Sequence, residues 1–240
     1  MKQVVIFLLG ISINMAAFGQ SSFWDSSIRV DASFAVSSNQ FLGNVALGKL
    51  HALKSEGKFK MGYGVRFNTL FSGSVEYRTA PAELTSGKTG LGVIFTENIE
   101  ANLDTITLAN ANFLALNAFV TLQYDFTPKW SLAFAIDAIG FTLGAEKNGT
   151  FSSSEYPETN GVYQASPTTF NLLLTSDNDI GTLNSELMLS YRANEQWAFR
   201  AGPSFIFTEI TTTTPAALNN DRFRNKALLF TLGASYFPFD

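Results

Sequence analysis

The chain has 240 residues, a formal net charge of −4, no cysteine and one histidine. Charged residues make up 15% of it, against ~25% in typical soluble domains, while aromatics reach 14% with 23 phenylalanines. The acidic balance argues against a nucleic-acid binder, which needs a basic footprint, and the lack of cysteine excludes disulfides, thiol catalysis, cysteine metal sites and an N-terminal lipid anchor.

Met1-Lys2 forms a short positive start, Val4 to Ile13 an apolar run, and Ala17-Phe18-Gly19 supplies the small residues of a cleavage site. This three-part pattern predicts a secretory signal peptide over residues 1–19. The run is too short for a membrane-spanning helix, which needs ~20 apolar residues. Residues 20–240 are then one exported domain with 15 basic and 20 acidic residues, once Lys2 is removed.

No internal segment is long and apolar enough to be a spanning helix. Apolar residues are instead spread with a period of two, the mark of strands with one apolar and one polar face. Ile28, Val30, Ala32, Phe34 and Val36 alternate with Arg29, Asp31, Ser33 and Ser37. The weakest stretch is Leu42 to Leu53, where Val45 and Leu47 share a face with Lys49 and His51. Phe59, Met61, Tyr63, Val65, Phe67 and Phe71 then oppose Lys60, Gly62, Gly64, Arg66 and Asn68. Leu114, Leu116, Val120, Leu122, Tyr124 and Phe126 oppose Asn117, Thr121, Gln123 and Asp125. After Thr127-Pro128-Lys129 come Trp130, Leu132, Phe134 and Ile136, and the phase slips past Asp137 to Ile139, Phe141 and Leu143. A β-bulge produces such a slip. Leu183, Leu187, Leu189 and Tyr191 are opposed by Asn184, Glu186, Ser190 and Arg192. Trp197, Phe199, Ala201, Phe205 and Phe207 follow, opposed by Arg200, Gly202, Ser204 and Thr208, and Leu228, Phe230, Leu232, Ala234 and Tyr236 mark the last strand.

The pattern predicts an all-β fold: an up-and-down antiparallel transmembrane β-barrel of about eight strands. Short connections fall at 54–57, 127–129 and 193–196, and long ones at 72–112, 145–179 and 212–225. Membrane barrels have short periplasmic turns and longer external loops, which places both termini in the periplasm. Tyr124, Trp130, Tyr191, Trp197 and Tyr236 gather at the short-turn level as an interfacial girdle.

Arg29, Asp31, Arg66, Asp125, Asp137, Glu186, Arg192 and Arg200 fall on the polar phase. A barrel of this size is only wide enough for its own side chains, so these charges are expected to pair into a network that fills the lumen. A narrow polar conduit is the alternative. His51 is too isolated in the pattern to supply a catalytic histidine, and no catalytic, cofactor or metal residue is assigned. Asp177-Asn178-Asp179 lacks the spacing and terminal Glu of an EF-hand loop and reads as Asx turns. Asn148-Gly149-Thr150 matches a glycosylation acceptor in spelling alone. Leu103, Ile106 and Leu108 alternate enough to extend a hairpin out of the first long loop.

At the C-terminus, Thr231-Leu232-Gly233-Ala234-Ser235-Tyr236-Phe237-Pro238-Phe239 resembles the terminal-strand signal read by the barrel-assembly machinery, with Pro238 where an aromatic is usual. The stretch 115–144, with Gln-Tyr-Asp-Phe at 123–126, Ile-Asp-Ala-Ile-Gly-Phe at 136–141 and also residues 176–184, resembles the small outer-membrane β-barrel proteins of Bacteroidetes, an OmpA/OmpX-like group. The resemblance implies a barrel in the outer membrane of a Gram-negative bacterium, with outer-membrane lipid and the assembly machinery as partners, and it implies no activity. The expected role is structural or binding, through a protein partner at the external loops. A narrow channel or transporter is the alternative, and a lipid-active enzyme is third.

Overall fold

A computed structural model describes residues 26–53, 57–87, 97 and 99–238. The expected signal peptide and most of the turn at 54–57 lie outside the described residues. Among the described residues thirteen strands form one antiparallel sheet: β1 (Ser26–Val36), β2 (Gln40–Ala52), β3 (Phe59–Ser72), β4 (Val75–Thr79), β5 (Thr105–Leu108), β6 (Asn112–Asp125), β7 (Trp130–Leu143), β8 (Lys147–Ser152), β9 (Gly161–Pro167), β10 (Phe170–Leu172), β11 (Leu183–Arg192), β12 (Trp197–Thr212) and β13 (Arg222–Tyr236). Among the described residues one short α-helix, α1 (Ala82–Thr85), follows β4. The expectation of about eight strands therefore undercounts the sheet.

The pairings trace two closed rings. In the larger, β1, β2, β3, β6, β7, β11, β12 and β13 pair in that order, and β13 returns to β1. In the smaller, the far ends of β12 and β13 pair with each other, β13 continues to β4, then β5, β8 and β9, and β9 returns to β12. The two rings share the β12–β13 ladder. Closure leaves neither ring with a free edge, which suppresses edge-to-edge association. Two of the three segments expected as long loops thus supply β4, β5, β8, β9 and β10. The third, 213–221, remains a loop with a short helical turn over Ala217–Asn219.

The alternating sequence dictates the faces of the larger ring. Phe59, Met61, Tyr63, Val65, Phe67 and Phe71 are all exposed, as are Leu116, Phe141, Phe199, Leu228 and Phe230. Residues of the opposite phase are buried in the lumen. β2 is a complete strand despite its mixed sequence, laddered to β1 from Ser26↔His51 to Val36↔Phe41 and to β3 along its whole length.

The expected bulge lies at Ala138: Ala118 pairs with Ile139 and Phe119 with Asp137. Beyond it, β11 leaves β7 after Ser185↔Ile136 and β10 takes its place, with Phe170↔Phe141 and Leu172↔Ile139. This insertion corrects one expectation. Leu183, in phase with the outward residues of β11, is 1% exposed because the chain doubles over there.

Candidate functional site: a filled lumen beneath a second ring

The lumen is closed at three levels. At the short-turn end, the chain leaves β13 and Phe237 turns inward, its N–H donating to the Gln196 carbonyl at 2.9 Å. Phe237 is buried, and the Arg192 guanidinium lies over its ring, 4.4 Å from the centroid. A cation over an aromatic face is a favourable electrostatic contact.

The middle level is a continuous chain of alternating charge. Arg29 Nε lies 3.0 Å from Asp31, Asp31 2.6 Å from Arg200, Arg200 3.5 Å from Glu186, Glu186 3.3 Å from Arg66, and Arg66 3.4 Å from Asp137. Three guanidiniums face three carboxylates, and all six side chains are buried. Neutral donors add hydrogen bonds to the carboxylates. Asn44 and Asn184 donate to Glu186 at 2.9 and 3.2 Å, Asn117 donates to Asp137 at 2.8 Å, and Ser235 donates to Asp31 at 2.6 Å. The Asn184 backbone N–H also donates to Asp137 at 3.1 Å, where the bulge has interrupted the ladder. Buried charges need this degree of pairing, since desolvation costs several kcal/mol per ion.

Six of the eight expected lumen charges are therefore joined by direct ion pairs. Asp125 is linked to the chain through Gln123, which accepts from Arg29 at 3.1 Å and donates to Asp125 at 2.7 Å, and Arg192 lies at the turn level over Phe237. Asp125 pairs with Lys60 at 2.9 Å with both side chains about a quarter exposed. Arg192 donates to the carbonyls of Asn194 and Glu195 at 3.3 and 2.5 Å. Both stand at strand ends, where the phase still points inward but the barrel has opened onto its turns. Phe119, apolar on the polar phase, was not foreseen. It is buried against Gly48, where an added Cβ would sit 3.2 Å from its ring. Its ring centroid is 5.0 Å from the Arg66 guanidinium carbon.

The upper level is apolar. Ala35, Leu42, Leu70, Phe113, Ile206 and Leu229 continue the inward phase of the larger ring and merge with Val75, Tyr77, Ile106, Leu108, Phe151, Ile210 and Phe223 inside the smaller ring. The hairpin expected from Ile106 and Leu108 is the β4–β5 pair. Its inward side chains belong to this core, which excludes water from the top of the lumen.

The five girdle residues share one end of the larger ring. Trp130 packs on Tyr191 with centroids 5.0 Å apart, Trp197 on Tyr236 at 4.9 Å, and Tyr124 on Phe59 at 4.6 Å. Each pair is a cross-strand register pair, which is how sheets stabilise adjacent rings. His51 lies at the same end of β2, stacked on Tyr63 at 5.8 Å.

A second buried cluster was not foreseen. Glu209 is fully buried on the outer face of β12, bonded by Arg222 at 2.9 Å through two nitrogens and by Arg224 at 2.7 Å. Both arginines also donate to the Asp179 carbonyl, and the Gly181 N–H reaches Glu209 at 3.3 Å. The cluster clamps the 176–181 turn onto the ladder shared by the two rings. The available signal was Arg222 and Arg224 alternating with Phe223, with Glu209 breaking the outward phase of Phe205 and Phe207.

The same turn uses up the Asp177-Asn178-Asp179 carboxylates. Asp177 pairs with Lys226 at 2.8 Å, and Asp179 accepts the Leu174 N–H at 2.6 Å. Burial pushes the Asp179 carboxyl above the ordinary carboxylate range, outweighing that hydrogen bond and the Arg224 charge. Its folded form therefore favours the proton. The stability it contributes is complete below its unfolded pKa and is lost as pH rises through the raised folded one. Asp179→Asn keeps the acceptor and removes the charge. It is expected to make the 173–181 turn more resistant to proteolysis than the native turn near neutral pH, with no gain in acid. Equal cleavage at both pH values would refute this.

No protein-family model matches the chain, and no curated protein matches it. Among solved structures, Neisserial surface protein A matches at 7% identity and TM-score 0.37, over 88% of this chain and 94% of its own. A major outer-membrane protein of Thermus thermophilus matches at 12% identity and TM-score 0.38, over 88% and 99%. Ail, the attachment invasion locus protein of Yersinia pestis, solved with a heparin analogue, matches at 11% identity and TM-score 0.32, over 88% and 97%. At these values the matches assign neither family nor activity.

Proposed function

We propose that the chain is an integral outer-membrane barrel in which the eight strands of the larger ring cross the bilayer, the lumen conducts nothing, and the smaller ring stands outside as a structural or binding platform. The observation that carries this reading is the three-level closure: Phe237 below, the alternating charge chain in the middle and the apolar core above. A conduit for water or ions needs a continuous polar path, and the apolar core interrupts it.

The membrane placement is supported by the outward faces of the larger ring. They carry a continuous belt of exposed Phe, Leu, Val and Tyr side chains, far beyond the apolar patches that soluble monomers tolerate. Backbone in lipid must bond internally, which a closed ring achieves. The spans range from 10 residues in β11 to 16 in β12, against the ~9–11 that a tilted strand needs. The aromatic girdle fits the periplasmic interface, so the described ends of the chain face the periplasm and the smaller ring faces outward. A signal peptide over 1–19, an origin among Bacteroidetes barrels and a non-enzymatic role belong to the same proposal, supported by the sequence patterns alone.

Reconstitution in planar bilayers tests the closed lumen. The expected result is a flat baseline with no stable single-channel steps. Reproducible unitary currents would overturn this reading in favour of a narrow channel.

A further inference from the structure

At the short-turn end of the larger ring the lumen holds a cavity of about 40 Å³. Arg29, the end member of the charge chain, lines it together with Gln123, Ser131, Ser190 and Phe237. The space admits water-sized particles, each of which needs ~10–15 Å³, and no organic ligand.

Three donors in this lining are unspent. Arg29 faces Asp31 through Nε at 3.0 Å and donates to Gln123 through Nη1 at 3.1 Å, but Nη2 holds no hydrogen bond among the described residues. The Ser131 and Ser190 hydroxyls hold none either. Arg29 is only 4% exposed and Ser190 9%, yet all three atoms keep accessible surface, unlike the sealed Arg66 Nε. Ser131 and Ser190 are register partners across β7 and β11, so their Cβ atoms stand ~5 Å apart on one face. No bond joins the two hydroxyls, and both are placed to donate to one shared acceptor.

The acceptors of the lining are already taken. Gln123 Oε1 receives Arg29, and Asp125 receives Gln123 at 2.7 Å through one oxygen and Lys60 at 2.9 Å through the other. A water molecule brings two donors, for which only hydroxyl oxygens remain. An anion brings acceptors alone. Charge points the same way. The lining carries four cations, Arg29, Lys60, Lys129 and Arg192, against one carboxylate, Asp125. Asp125 is held by Lys60, whereas Lys129 has no ion pair among the described residues. A cleft of one sign between low-dielectric walls concentrates counter-ions.

We propose that this cavity binds a single chloride ion, which accepts from Arg29 Nη2 and from the Ser131 and Ser190 hydroxyls. Hydrogen bonds from a charged donor to an anion are the strong ones. The ion enters from the short-turn mouth past Lys129 and stops below the charge chain, so the site is a dead end and not a step in conduction.

The test uses the full barrel in detergent at constant ionic strength, with sodium chloride titrated against sodium gluconate. Chlorine NMR reads exchange between bound and bulk chloride. The native protein is expected to broaden the line saturably, and bromide to remove the broadening by competition. Ser131→Ala with Ser190→Ala is expected to weaken the affinity about tenfold or more, the worth of a hydrogen bond to a charged group, while the barrel keeps its folded gel migration. Crystals grown in bromide are expected to show one anomalous peak within reach of Arg29 Nη2. Broadening that does not saturate, or that is unchanged in the double variant, overturns the proposal. Density in the cavity without an anomalous signal makes its occupant water and overturns it too. Channel currents in a bilayer would sink the closed lumen and not this site, which needs only the ring and its three donors.

Discussion

Arg66→Ala is expected to destabilise the barrel by about 3–5 kcal/mol, the cost of stranding a buried charge whose partner is removed. Arg66 holds two carboxylates, Asp137 at 3.4 Å and Glu186 at 3.3 Å, and its side chain is 3% exposed. Removing it strands the buried Asp137, leaves Glu186 with Arg200 alone at 3.5 Å, and takes the cation from over the Phe119 ring. Urea unfolding in lipid vesicles, followed by tryptophan fluorescence, reads the effect. The discriminating control is the double change Arg66→Met, Asp137→Asn. It removes the stranded charge, leaves Arg29 and Arg200 facing Asp31 and Glu186, and should recover more than half of the loss. A single-variant cost under about 1 kcal/mol, the usual worth of an exposed pair, would mean that water reaches the chain and the lumen is open.

Phe223→Ala is expected to cost a similar amount, about 3–5 kcal/mol for a buried aromatic cut to alanine, but in a different place. Phe223 is fully buried in the smaller ring, edge-on to Phe151 with centroids 5.8 Å apart, and paired in register with Ile210 and Thr79. It lies beyond the last pairing of β13 with β1, Val36↔Phe230. Limited proteolysis should therefore cut at 80–104 and 153–160 in the variant while the barrel keeps its folded migration on a gel. If the barrel itself unfolds, the two rings form one cooperative unit.

The sequence foretold different parts of the molecule to different degrees, for physical reasons. Each strand of the larger ring carries its own alternation, because one face is exposed and the other buried over ten residues or more. Even the bulge at Ala138 shows, as the phase slip from Asp137 to Ile139. The smaller ring is short by comparison. β5 has four residues and β8 six, too few to establish a period, and their partners lie far along the chain, as with Phe223 and Thr79. Ser, Thr and Asn in these segments read as loop chemistry, whereas Asn148, Thr150 and Ser152 are the solvent side of β8. Among the site residues, phase predicted that Arg29, Asp31, Arg66, Asp137, Glu186 and Arg200 point inward. It carries no information about height, so it does not separate Asp125 and Arg192, at the strand ends, from the six that pair directly. Glu209 escaped because a local pattern cannot show that a turn from elsewhere covers an outward position.

The shared ladder has a consequence for the order of assembly. β13 completes the larger ring through β1 and hands the smaller ring on to β4. Both closures therefore wait for the same late segment, and both join residues far apart in the chain, the kind of contact that slows folding. Before β13 docks, the edges of β1 and β4 are unsatisfied together. Once it docks, they are satisfied together. The barrel and its outer storey should thus mature in a single late step, and a block to β13 docking should yield a chain with both halves unfinished rather than a barrel lacking its cap.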